Sequence, residues 1–227
     1  MPDPEVFAEF LRSLGVDDDA QIVAYDEGAD MYAARFWLVC RWIGHEATAI
    51  LDGGMNAWRK LGYPTEPGER YSVIPSERTA KAAGDVEGRR SVGLTIRLRP
   101  QLIVSASEVQ ANLNSASMHL LDARAAERFR GDIEPLDPVA GHIPGAQNYW
   151  FKNNFDEDGR LRSPQELRTA FERYGKPETI VHQCGSGVSS AVSLLAMEHA
   201  GLHGSRIYAG SWSEWCSDPS RPVATGD

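Results

Sequence analysis

A long-range internal repeat constrains this chain more than any other feature. At an offset of about 158 positions, Ile22-Val23-Ala24-Tyr25-Asp26 falls on Ile180-Val181-His182-Gln183-Cys184. The helical stretches that follow align. Leu51-Asp52-Gly53-Gly54 then meets Tyr208-Ala209-Gly210-Ser211, and Trp58 meets Trp215. A helix opening at Asp3-Pro4 matches one opening at Ser163-Pro164, each with a capping residue followed by proline at the first helical position. Any two βα units look somewhat alike, but here element order, glycine and tryptophan agree together. Two copies of one α/β unit explain that agreement best.

Within each copy short β-type runs alternate with helical periodicity, which implies βαβ units and a parallel sheet. The first copy occupies residues 1–65 and the second 101–227. Between them, residues 66–100 are polar, charged in both signs and punctuated by Pro67, Gly68, Pro75, Gly84, Gly88 and Gly93, which reads as an interdomain linker. The second copy has a further stretch, from residue 101 to its Ser163 helix, with almost no counterpart in the first. The first unit is therefore expected to be incomplete at its N-terminus, with only the strands at 21–25 and 48–51. Such a fragment exposes strand edges. It must dock on the second unit or pair with another copy as a homo-oligomer.

Composition narrows the partners. Lys and Arg number 23 against 32 Asp and Glu, a net charge of -9, which disfavours nucleic acid and anionic membrane. A small anionic substrate remains compatible, because a local field can oppose the global one. Hydrophobic residues at 42% and charged residues at 24% suit a packed core. No apolar run approaches the roughly 18 residues needed to cross a bilayer, and Met1-Pro2-Asp3-Pro4-Glu5 lacks the basic and apolar regions of a signal peptide. Cys40, Cys184 and Cys216 cannot all pair and form no metal-ligand spacing. A reducing cytoplasm, no metal and no cofactor are the expectations.

Chemistry concentrates at Cys184-Gly185-Ser186-Gly187-Val188-Ser189, between a strand and a helix. A thiolate is the reactive form of cysteine, and a helix N-terminus favours it through unpaired N–H groups and the dipole. Gly185 and Gly187 let the backbone curl so that successive amides form an anion-binding nest around the sulfur. The alternative at this level is a buried cysteine beside an ordinary glycine-rich turn.

The second segment resembles the rhodanese-type sulfurtransferases, the tandem-domain thiosulfate and 3-mercaptopyruvate enzymes. The matching pieces are Leu121-Asp122-Ala123-Arg124, Glu127-Arg128-Phe129-Arg130-Gly131, Gly141-His142-Ile143-Pro144-Gly145-Ala146, Cys184-Gly185-Ser186-Gly187-Val188 and Gly210-Ser211-Trp212-Ser213-Glu214-Trp215. Residues 1–63 look like the later half of the family's first domain. The resemblance implies an α/β fold of two rhodanese-like domains, each a parallel sheet flanked by helices. It implies that Cys184 carries sulfane sulfur as a persulfide, from a small anionic donor to a thiol or cyanide, in two half-reactions. Arg128 matches the arginine that faces the donor's negative group, and Gly185, Ser186, Gly187, Val188 and Ser189 would contact the substrate. Arg124 is expected to brace the fold through Asp122. His142 and His182 are expected to be structural, Trp58, Trp212 and Trp215 to be core anchors, and Cys40 and Cys216 to be spectators. Asp26, at the position of Cys184, cannot carry sulfur, so two domains give one site.

Two departures from the pattern matter. Mercaptopyruvate-type relatives carry a second arginine before the His-Ile-Pro-Gly turn, whereas here that stretch reads Glu134-Pro135-Leu136-Asp137-Pro138-Val139-Ala140. The neutral Cys-Gly-Ser-Gly-Val loop nonetheless looks like the mercaptopyruvate type. The class expectation is thiosulfate first, with 3-mercaptopyruvate close behind. In those relatives the serine matching Ser186 is also coupled to an Asp and a His from the region the first unit lacks. A tyrosine-phosphatase-like loop would place arginine where Ser190 stands. The remaining rival is a non-catalytic binding or persulfide-relay module.

Overall fold

The computed structural model describes residues 1–66, 93–113 and 115–227. The first unit comprises α1 (Pro4–Ser13), β1 (Ile22–Ala24), α2 (Met31–Trp42), β2 (Thr48–Ile50) and α3 (Gly54–Lys60). The second comprises α4 (Ala106–Ala111), β3 (His119–Asp122), α5 (Ala126–Arg130), β4 (Gln147–Asn148), α6 (Pro164–Glu172), β5 (Ile180–Gln183), α7 (Ser190–His199), β6 (Arg206–Ile207) and α8 (Ser211–Cys216). Local chemistry sets the starts. Asp3 accepts the Glu5 and Val6 amides at 3.0 Å ahead of Pro4. Ser163 and Glu166 form a reciprocal capping box that opens α6.

Both sheets are parallel. The first is β1 beside β2, with Ile22 opposite Thr48. The second has the order β4-β3-β5-β6, and Ile103 bridges to Ile207 beyond β6. Strand β5 lies at its centre and all four of its residues are buried. Its C-terminal end is where the chain turns into the Cys184 loop, the end at which parallel α/β sheets present their sites. This is the expected rhodanese-like architecture, with a two-stranded first sheet.

Equivalent helices of the repeat pack on each other. Helix α7 is buried around nearly its whole circumference, from Ser190 to Leu194 and again at Ala196 and Met197. One side faces the large sheet. The other receives α2, whose Ala34, Trp37 and Leu38 join Ala191, Val192, Leu194, Phe155 and Ile207 in one apolar cluster. Alanine at 34 and 191 lets the helices approach closely. Polar ties add to this contact: Arg41 lies 3.6 Å from Glu198, Lys60 pairs with Asp158, and the Leu161 amide donates to Asp52 at 2.8 Å. The small first sheet is held by this docking. Its solvent side still leaves Val23 55% and Tyr25 60% exposed.

Of the stretch read as a linker, 67–92 lies outside the described residues. The part from Gly93 onward runs along the first unit: Leu94 is buried, its carbonyl accepts from Arg12, and the Arg97 and Arg99 amides donate to Ile43 and Trp42 at 2.8 Å. Among the described residues no helix is long and apolar enough to cross a membrane. Trp212 and Trp215 are fully buried core anchors. Trp58 is not. It is only half-buried, packs at a tilt against Tyr63 and donates to the Pro64 carbonyl, because α3 lies at the rim of the small unit.

Leu38 is completely buried in the α2–α7 contact. We expect Leu38→Ala to cost about 2–5 kcal/mol and to lower the urea midpoint of a single transition. A separate early transition for the first unit, with the second unaffected, would contradict the docking described here.

Candidate active site

Cys184 leaves β5 at the base of a cleft of about 520 Å³ between the two units. Met31 and Tyr32 of the first unit line one wall, and Ala123, Arg128, Leu136, Asp137, Trp150 and Phe151 of the second line the others. Cys184 is buried, so the cleft that it lines is its approach.

The loop around it is held by neighbouring backbone. Gly187 adopts φ +76°, and a Cβ there would stand 2.1 Å from the Ala209 carbonyl oxygen. Only glycine fits. This conformation turns the Gly187 N–H onto Cys184 Sγ at 3.1 Å. The sequence reading expected a ring of amides about the sulfur, but among the described residues Gly187 alone donates to it. The amides of Gly185, Ser186, Val188 and Ser189 have no acceptor among the described residues and stand free at the helix N-terminus.

Helix α8 clamps the same residue from behind. The Cys184 amide donates to Ser211 Oγ at 3.1 Å, Ser211 Oγ donates to the Tyr208 carbonyl at 3.0 Å, and the Trp212 amide donates to the Cys184 carbonyl at 3.0 Å. Ser213 secures the Gly185 carbonyl with both its amide and its hydroxyl, each at 2.9 Å. Ser211 sits at φ +56°, a left-handed conformation that costs a non-glycine residue about 1–2 kcal/mol. Its repeat counterpart, Gly54, has φ +57°. The second copy thus accepts strain for a hydroxyl that fixes Cys184. Asp26, the counterpart of Cys184, accepts amides from Gly28 at 2.9 Å, Tyr32 at 3.0 Å and Ala33 at 3.3 Å. A fixed carboxylate fills its loop.

Arg128 does reach the site. Its Nη1 lies 3.5 Å from where a Gly185 side chain would begin. It is already engaged, pairing with Glu134 at 2.6 Å and Asp137 at 3.5 Å. Burial alone would raise the Glu134 carboxyl, but Arg128 and the Leu136 and Asp137 amides outweigh it and hold the group below the usual carboxylate range. The acidic stretch seen in the sequence therefore folds over Arg128.

The other singled-out residues fall as follows. Ser186 is exposed, and its hydroxyl has no partner among the described residues. Val188 and Ser189 line the cleft with Gly185, while Gly187 lies buried beneath the sulfur. Arg124 braces the fold, forking onto Asp122 at 2.7 Å and reaching the Gly141 carbonyl at 2.7 Å. His142 stacks on Phe129 and bonds its carbonyl at 2.8 Å. Burial pushes His182 down to about 3, which keeps a core imidazole neutral. Burial also raises the Cys40 thiol to about 12 and raises Cys216, with Asp137 adding to the second shift. Both remain outside the cleft lining. Among the described residues no His, Cys, Asp and Glu group could hold a metal.

Sequence reasoning missed two residues. Ser211 gave a signal, as the non-glycine partner of Gly54 in the repeat. Arg35 gave none: its Nη1 donates to the Gly187 carbonyl at 3.2 Å across 152 positions of chain.

The rhodanese-like domain family matches residues 1–61 and 105–218, and the chain belongs to that family. Within it, its relatives are sulfurtransferases. A probable 3-mercaptopyruvate sulfurtransferase of Pseudomonas aeruginosa is 42% identical over 231 residues, covering 100% of this chain and 75% of the relative. The 3-mercaptopyruvate sulfurtransferase of Escherichia coli K12 is 33% identical, covering 98% and 74%. SseB, a putative thiosulfate sulfurtransferase of Mycobacterium tuberculosis, is 36% identical, covering 95% and 71%. Among solved structures, YnjE superposes with a TM-score of 0.82 at 23% identity, over 100% of this chain and 54% of that one. Wild-type EanB gives 0.80 at 22%, over 100% and 55%. These last two show the fold, and the chain spans about half their length.

Gly187→Ala should cost more than about 2 kcal/mol, from left-handed strain plus the Ala209 clash, and should slow alkylation of Cys184. A variant with unchanged urea midpoint and unchanged alkylation rate would show that Gly187 does not shape the loop.

Proposed function

We propose that Cys184 is the sulfur carrier of a two-step transferase. The observation that carries this reading is the geometry of its sulfur: at the base of a cleft, against the Gly187 amide, beneath further loop amides free to accept an anion. In the first half-reaction the Cys184 thiolate attacks the donor sulfur. From 3-mercaptopyruvate the C–S bond breaks, its electron pair leaves on the enolate carbon, and protonation there gives pyruvate. From thiosulfate the S–S bond breaks and sulfite leaves with the pair. Either path leaves a Cys184 persulfide, whose outer sulfur the loop amides stabilise. In the second half-reaction a thiolate or cyanide attacks that outer sulfur, and the Cys184 thiolate departs as the leaving group.

Arg128 orients the donor's negative group, and the free amides from Gly185 to Ser189 hold the transferred sulfur. The charge balance favours a monoanion. Glu134 and Asp137 already offset Arg128, and the loop carries no basic side chain, so a dianion gains less than it would beside an uncompensated arginine. That argues for 3-mercaptopyruvate ahead of thiosulfate, where the missing second arginine argued for thiosulfate first. The 3-mercaptopyruvate names of the Pseudomonas and Escherichia relatives support the same order.

Intact-mass measurement after exposure to each donor tests this directly. One added sulfur, removed by cyanide and absent in Cys184→Ser, is expected with both donors, and loading should saturate at lower 3-mercaptopyruvate. No added sulfur from either donor in folded protein would overturn the transferase reading in favour of a binding or relay module.

A further inference from the structure

We propose that Arg35, from the first unit, is a positioning residue that holds the sulfur loop of the second and supplies the positive charge the sulfur works against. The proposal rests on Cys184 as sulfur carrier. Arg35 stands one turn into α2, between Ala34 and the docking residues Trp37 and Leu38, so the apolar contact with α7 fixes where it points. Its Nη1 donates to the Gly187 carbonyl at 3.2 Å. Gly187 is thereby held at three points: N–H on Cys184 Sγ, Cα against the Ala209 carbonyl, and carbonyl under Arg35.

The charges around the loop set Arg35 apart. Arg124 is paired with Asp122 and Glu134, and Arg128 with Glu134 and Asp137. Arg35 is half-buried; the Met1 amino group, which also faces Glu214, is a further charge that acts on it, and among the described residues no carboxylate lies within ion-pairing distance of Arg35. An unpaired guanidinium is costly to desolvate. Burial accordingly lowers its pKa, and the neighbouring Cys184 sulfur is the group that works against that shift. The charge is thus available to an anionic sulfur in both the thiolate and the persulfide. Arg35 does not line the cleft, whereas Met31 and Tyr32 of the same helix do. Its effect should fall on the sulfur and the loop rather than on donor binding.

Arg35→Gln and Arg35→Lys test this alongside the parent protein, with urea midpoints to establish folding. Arg35→Gln should lower kcat about tenfold or more with donor KM within about twofold, and move the pH profile of Cys184 alkylation upward. Arg35→Lys, which keeps the charge without the fork, should retain the parent pH profile with a partial loss of kcat. A folded Arg35→Gln with parental kcat and parental pH profile would overturn the proposal, as would a change confined to KM. Should Arg35→Gln not fold, Arg35→Lys decides: a parental kcat overturns the proposal and a several-fold loss supports it. Failure of the parent itself to take sulfur would instead strike the Cys184 reading, while the alkylation profiles would still report on Arg35.

Discussion

The contact between the Gly187 amide and the Cys184 sulfur organises everything around it. For that N–H to face the thiol, Gly187 must take a left-handed conformation flat against the Ala209 carbonyl, at the end of β6. For β6 to be there, the central strand β5 must pair on both sides, to β3 and β6. For α7 to start where the loop needs a helix N-terminus, its far side must be covered, and α2 covers it. The site is thus a consequence of how a parallel sheet ends and of which helix seals it. Polar fixings supply the last ångström: Ser211 and Trp212 on the Cys184 backbone, Ser213 on Gly185, and Arg35 on Gly187.

The two copies of the repeat show the same turn used for different ends. In the first, Asp26 accepts three amides at the head of α2, and Gly54 relieves the left-handed position beside it. The carboxylate is permanent, so nothing is carried. In the second, a thiol replaces the carboxylate, several amides are left free, and serine replaces glycine at the strained position to hold the cysteine backbone. One loop is filled by its own side chain, and the other leaves its amides open. The first copy contributes by packing, by lining the cleft with Met31 and Tyr32, and by placing Arg35.

Much of this was legible in the chain. Asp3-Pro4 and Ser163-Pro164 mark helix starts that the structure keeps, and the repeat led to two parallel sheets and to the Cys184 loop. Arg124 and His142 fall where their surroundings suggested, because buried polar side chains must find nearby partners, and His182 is a buried core residue whose Nε2 meets Ser205 while its Nδ1 has no partner among the described residues. What could not be read was long-range or irregular. Nothing local tells that Arg35 meets Gly187 across 152 positions, since that contact depends on how separate elements dock; Glu134 and Asp137 lie close to Arg128 in the chain, but they turn back over it in a loop that has no regular periodicity to read. Trp58 misled for the opposite reason. Its repeat partner Trp215 lies under a complete sheet, whereas α3 sits at the edge of a two-stranded one and leaves its tryptophan half-covered.

The central claim is that the loop backbone is built to bind a sulfur-borne negative charge. A crystal structure of the sulfur-loaded protein tests it most directly. The account predicts an outer sulfur on Cys184 within hydrogen-bonding reach of the amides between Gly185 and Ser189, with Gly187 still left-handed and Arg35 still on its carbonyl. An outer sulfur turned away from those amides, with the amides facing solvent, would contradict it.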